Sequence, residues 1–122
     1  MEHDIAVVLT TAPNEDEARA LARLLVEKQL AACVQLLPIH SVYQWEGAIQ
    51  QEPEGLLLAK TRRSRYAEVE ACIRSHHSYT VPEILQLPVE QGLPAYLAWL
   101  GGYVPPAPAT LPGVNGRSDQ SV

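Results

Sequence analysis

Adjacent histidines, His76-His77, and two cysteines, Cys33 and Cys72, are the side chains of this sequence best suited to hold a metal, because imidazole and thiolate both suit copper and zinc. Their spacing yields a single usable pair. There is no Cys-x-x-Cys and no His-x-x-x-His, and neighbouring residues on a helix point about 100° apart, so His76 and His77 do not readily share one ion. Cys72 and His76, at i and i+4, are the one pair of ligands on a common helix face, with Glu68 a further turn back. Two ligands predict weak copper or zinc binding and no obligatory cofactor. A cysteine and a histidine near a helix end are also packed or dipole-facing more often than liganding. Cys33, inside an apolar run, reads as a small buried hydrophobe.

Other chemistry is sparser. Ser41, Ser64 and Ser78 stand in no nucleophile elbow, and no glycine-rich phosphate loop is present, so no catalytic constellation is expected. Lys60, Arg62, Arg63 and Arg65 crowd the start of an expected helix, where acids are normally favoured. The cluster calls either for a small anion or for acidic partners such as Glu52 and Glu54. The aromatic set is two Trp and five Tyr with no Phe, so every aromatic ring has a polar handle, which suits interfaces and pocket walls.

The elements that must position these residues fit one domain: 122 residues, 47% of them hydrophobic, can build a single core without disulfides. A net charge of −5 argues against a nucleic-acid or anionic-membrane binder. No apolar run is long enough to span a membrane, and Met1-Glu2-His3-Asp4 does not open a secretory signal, so a cytoplasmic protein with reduced thiols is expected.

Ile5–Thr11 is a continuous apolar and β-branched run, the mark of a central strand. Asn14, with Glu17 three residues on, reads as the capping box of a helix whose stripe is Ala18, Leu21, Ala22, Leu24 and Leu25, ending near Lys28-Gln29. From Ala31 to Gly47 apolar residues alternate over a stretch too long for an ordinary strand, with Pro38 predicting a bulge, bend or edge at its middle. Residues 48–55 read as a polar hairpin connection into a strand over Leu56–Thr61. A helix capped by Ser64 then carries Tyr66, Val69 and Ile73 and runs to about Ser75. An edge strand spans Glu83–Val89, and a short helix with Pro94 in its first turn spans Ala95–Leu100. From Gly101 the sequence turns Pro- and Gly-rich, so a domain over 1–101 and a loosely packed or disordered tail over 102–122 are expected. The order β1-α1-β2-β3-α2-β4, with a long β2–β3 hairpin and a short C-terminal helix, is the α+β ferredoxin-like arrangement.

Several spaced motifs carry a resemblance: Ala31-Ala32-Cys33-Val34, Ser41-Val42-Tyr43-Gln44-Trp45-Glu46-Gly47, Glu54 with Lys60-Thr61, His77-Ser78-Tyr79-Thr80-Val81-Pro82-Glu83, and Tyr96-Leu97-Ala98-Trp99. Over about residues 5–100 the chain resembles the CutA family of divalent-cation tolerance proteins. The resemblance implies a ferredoxin-like subunit in a tight homotrimer similar to the PII signalling proteins, with a link to copper and other divalent metals. It implies a ligand cleft between subunits built from Tyr43, Trp45, Lys60, His77 and Tyr79, with Tyr43, Trp45 and Trp99 at the interface. A PII-like assembly or signalling scaffold with no metal role is the alternative. The sequence departs from the family's His-Pro-Tyr-Glu at His77-Ser78-Tyr79-Thr80, losing a carboxylate, and has Gln29 where a glycine often ends the first helix.

Overall fold

The computed structural model describes residues 3–108. Its elements are β1 (Ile5–Ala12), α1 (Glu15–Glu27), β2 (Cys33–Trp45), β3 (Ala48–Arg62), α2 (Tyr66–His76), β4 (Ile84–Pro88) and α3 (Pro94–Tyr103), with a 3₁₀ turn over Arg63–Arg65 leading into α2. The expected ferredoxin-like order is observed. The four strands form one antiparallel sheet in the order β2-β3-β1-β4, so the apolar run of β1 lies inside the sheet and β2 and β4 are its edges.

Both long helices pack on one face. Val8, Ala59 and Val34 share a register row there and meet Leu25, Val69 and Ile73, while Leu57 and Ala12 meet Ala18, Leu21 and Ala22. The opposite face carries Val7, Leu9, Leu37, Leu56, Leu58, Leu85 and Leu87; α3 packs on its Ile5, Lys60 and Arg62 end, and the two long helices leave the rest of it open.

The start of α1 is as expected: Asn14 Oδ1 accepts from the Glu17 amide at 2.8 Å. Its end is a Schellman motif, with Leu30 N–H donating to Leu25 O, Gln29 N–H to Val26 O, and Gln29 itself left-handed at φ +57°.

The β2–β3 hairpin departs from expectation. Residues 48–55 are not a connection but the first half of a 15-residue strand, and the turn is the two residues Glu46 and Gly47, both at positive φ (52° and 81°) as a type I′ turn requires. The register runs unbroken from Cys33↔Lys60 to Trp45↔Ala48, so Pro38 makes no bulge; it sits on an edge strand, where its missing N–H costs no ladder bond. Pro53 and Gly55, which resemble turn formers in sequence, lie in register opposite His40 and Pro38. At Gly55 a Cβ would come 3.2 Å from that of Ala18, so the glycine lets α1 approach the sheet.

Helix α3 is longer than expected, running to Tyr103. Its end is held by Arg62, which donates to the carbonyls of Gly101 (2.7 Å) and Val104, and by the Tyr103 hydroxyl, which donates to Val26 O at 2.7 Å. Leu100 and Val104 are buried against Ile5. Packing thus continues past residue 101; of the expected tail, residues 109–122 lie outside the described ones.

Candidate functional site

Where β1 ends, the connection after α2 crosses the sheet, and four elements meet there through polar side chains. The His77 side chain is fully buried. Its Nε2 lies 2.6 Å from Thr11 O, its Nδ1 3.0 Å from the Tyr79 amide and 3.5 Å from Glu17 Oε2, and its ring centroid 4.9 Å from that of Tyr79. Glu17 Oε2 also accepts from the Ser78 amide (2.9 Å) and hydroxyl (3.1 Å). Glu17 was expected to close a capping box on its own helix; its carboxylate instead ties α1 to the 77–79 connection.

The seam continues into the hairpin. The Tyr79 hydroxyl donates to Glu54 Oε2 at 3.0 Å, Ser41 Oγ donates to Glu54 Oε1 at 2.6 Å, and the Tyr43 hydroxyl donates to Glu52 Oε1 at 2.7 Å. Burial first, and then the bond to Glu54, push the Tyr79 phenol up; the bond to Glu52 raises Tyr43. Both rings therefore serve as neutral hydrogen-bond donors to anionic carboxylates. Glu17, Ser41 and Glu52 were not among the expected site residues. Glu17 and Ser78 are 61 positions apart, and no spacing rule joins them.

Within one chain the five expected cleft residues fall into three groups. Tyr43, His77 and Tyr79 belong to the seam. Trp45 stands at the tip of the hairpin, half exposed, and Trp99 is equally open. Lys60 lies at the other end of β3, where its Nζ donates to the Tyr96 hydroxyl at 3.2 Å and sits 5.3 Å from the Tyr96 ring centroid, with Trp99 stacked 5.6 Å beyond.

The expected metal ligands do not form a centre. His77 has both nitrogens occupied. His76 points elsewhere and donates from Nδ1 to Cys72 O, the backbone carbonyl and not the thiol, at 2.9 Å. The Cys72 thiol is buried, which pushes its pKa up and disfavours the thiolate a metal needs. Both residues only edge a wide-open depression of about 540 Å³ shared with Lys28, Arg65 and Glu68. Among the described residues no three His, Cys, Asp or Glu side chains converge, so they do not fit a resident divalent ion.

The arginine cluster is likewise engaged, though not with Glu52 or Glu54. Arg62 holds the end of α3; Arg63 lies 3.7 Å from Asp4 and donates to His3 O; Arg65 pairs with Glu68 at 2.6 Å and donates to Pro105 O. Ser64, expected as a helix cap, donates to Asp4 instead and makes no cap bond. These partners satisfy the cations without a bound anion.

Residues 6–102 match the family described as CutA1 divalent ion tolerance protein. The divalent-cation tolerance protein CutA of Thermus thermophilus is 44% identical over 95 residues, 77% of this chain and 92% of that relative. Mouse protein CutA is 45% identical over 97 residues, 79% of this chain but 55% of the relative, so the chain spans little more than half of that protein. Among solved structures, the periplasmic divalent cation tolerance protein CutA from Archaeoglobus fulgidus superposes with a TM-score of 0.81 at 40% identity, covering 83% of this chain and 99% of that one.

Proposed function

Since the chain belongs to the CutA1 divalent ion tolerance family, a non-catalytic one, we propose that it works as a homotrimer that binds divalent cations, copper among them, at clefts between subunits. The observation that carries this reading is the part of the sheet face opposite α1 and α2 that α3 leaves open. Leu37, Leu85 and Leu87 are each about half exposed there, beside Val7, Leu9 and Leu58; the hairpin tip carries Trp45 on the same side of the ribbon and Val42 and Ile49 on the other. A contiguous apolar surface of this kind asks to be covered, and closure of three copies covers it without leaving a growing edge.

Assembly also supplies what a single chain lacks. Trp45 at the tip and Lys60 near Tyr96 stand apart from the Tyr43, His77 and Tyr79 seam in one subunit, and a projecting arm brings such groups beside those of a neighbour. In that cleft His77 acts from behind, holding Tyr79, and the cation binds weakly to oxygen-rich walls. We place the protein in the cytoplasm, where its two free cysteines remain reduced. Among the described residues no helix is long and apolar enough to cross a membrane. The second reading, a PII-like scaffold with no metal role, is favoured by the lack of a converging ligand group among the described residues.

Sedimentation at micromolar concentration, followed by copper titration in a calorimeter, tests both. A three-chain mass with weak, saturable copper uptake supports the proposal. A three-chain mass without uptake favours the scaffold, and a single-chain mass overturns both.

A further inference from the structure

The basic cluster around the start of α2 is satisfied unevenly. Every arginine of the described residues is ion-paired with a carboxylate, Arg62 and Arg63 through Asp4 and Arg65 through Glu68, whereas among the described residues Lys60 is paired with none. Lys60 leaves β3 on the side away from α1 and α2, in one register row with Cys33, Val7 and Leu87, and its Nζ donates to Tyr96 Oη at 3.2 Å. In the next row of that face Ile5 is covered by Leu100 of α3. The Lys60 row therefore lies in a corner, with the open sheet face as its floor and α3 as its wall.

We propose that this corner is a binding site for a small aromatic anion, whose charged group is held by Lys60 and whose ring lies against Tyr96 and Trp99. An ammonium has three N–H donors and Tyr96 Oη takes one, so the others can bond the oxygens of a carboxylate or similar group. The two rings supply the apolar half. Their centroids are 5.6 Å apart with a tilt of 32°, Trp99 is half exposed, and Lys60 Nζ is 5.3 Å from the Tyr96 centroid, so charge and ring surface adjoin.

The surroundings select for both halves together. Helix α3 contains no charged residue, and the floor beside Lys60 is Cys33, Val7 and Leu87, so nothing on either surface neutralises the ammonium, which repels a metal ion. A bare inorganic anion gives up water for one cation alone. A neutral aromatic molecule covers the rings and leaves the ammonium less hydrated and still unpaired. Tyr96 and Trp99 are one helical turn apart, about 4.5 Å along the axis, a width that suits one or two fused rings and not a length of peptide. The site is built within one chain and stands whether or not the cation reading does.

Titration of the full chain, free of metal, with 1-naphthoate and separately with its neutral analogue 1-naphthamide tests the site, read by nitrogen NMR of the two indole N–H groups, which Trp45→Phe assigns. The expected result is a saturable shift at Trp99 and none at Trp45, with the carboxamide binding about tenfold or more weakly. Lys60→Gln should weaken naphthoate by about tenfold and leave naphthamide unchanged, and Lys60→Arg should restore it. Trp99→Leu, read at the Lys60 amide, should weaken both by about fivefold or more. Equal affinity for the two compounds reduces the corner to an apolar patch and overturns the proposal, as does naphthoate binding that survives Lys60→Gln, a shift centred on Trp45, or no saturable shift at Trp99. Should a Lys60 variant fail to fold, the comparison of the two compounds on the wild-type chain decides.

Discussion

The base of the sheet and the arm that projects from it are made of the same two strands, β2 and β3, in one unbroken register, yet they are stabilised differently. At the base, Leu57 and Ala59 are fully buried beneath two helices, and side chains interlock with Leu25, Val69 and Ile73. Along the arm, Val42, Tyr43, Trp45 and Ile49 are exposed, and apart from the ladder the fixing points are the Ser41–Glu54 and Tyr43–Glu52 bonds and the Glu46-Gly47 turn. A two-stranded ribbon without a covered face is marginal in water. The base therefore folds the chain, whereas the arm's apolar residues add little to its core.

Substitution at each end separates the two. If the proposed trimer covers the ring, Trp45→Ala should weaken its dissociation free energy by about 3–5 kcal/mol while leaving the dilute chain folded. Leu25→Ala should cost about 2–5 kcal/mol at every protein concentration, because the cavity opens inside one subunit. Chemical denaturation over a hundredfold dilution series distinguishes them. A Trp45→Ala protein with unchanged mass and unchanged concentration dependence would show the arm to be free.

The seam between base and arm gives a smaller effect with a pH signature. Tyr79→Phe deletes the donor to Glu54 and should destabilise by about 1 kcal/mol near neutrality. Because the phenol's folded pKa is raised, the stability linked to its neutral form is complete below the ordinary phenol value of 10.0. It is lost as pH rises through the raised value. Wild type should thus lose stability in strong alkali more steeply than Tyr79→Phe; equal slopes in pH-dependent unfolding would detach the phenol from the seam.

The smallest change lies wholly in the base. Gln29 holds a left-handed conformation that glycine adopts without strain, so Gln29→Gly should raise stability by about 0.5 kcal/mol, offset in part by the exposed bond from its side chain to Tyr103 O. A lowered melting temperature would assign that side-chain bond more weight than the backbone.

What could be read from the sequence tracks the range of the forces involved. Alternation, helical periodicity and the Asn14 cap act within a few residues, so β1, α1, α2 and the ferredoxin-like order were legible. Element limits failed where a distant group intervenes. Pro53 and Gly55 look like turn residues until β2 pairs beside them and α1 presses on Gly55. Gly101-Gly102 look like a helix stop until Arg62 takes the end carbonyls of α3.

Residue types likewise marked His77, Tyr79 and Tyr43 as chemically capable, but not what they would do. Whether His77 met a metal or a carbonyl depended on Thr11, 66 residues away; whether Glu17 served its own helix depended on Ser78, 61 residues away; and Tyr79 found Glu54 across 25. By itself the sequence determined the elements, their order and the donors and acceptors on hand. Only the tertiary structure decided which of them meet, because a buried polar group takes whichever partner the packing of distant elements brings within hydrogen-bond reach.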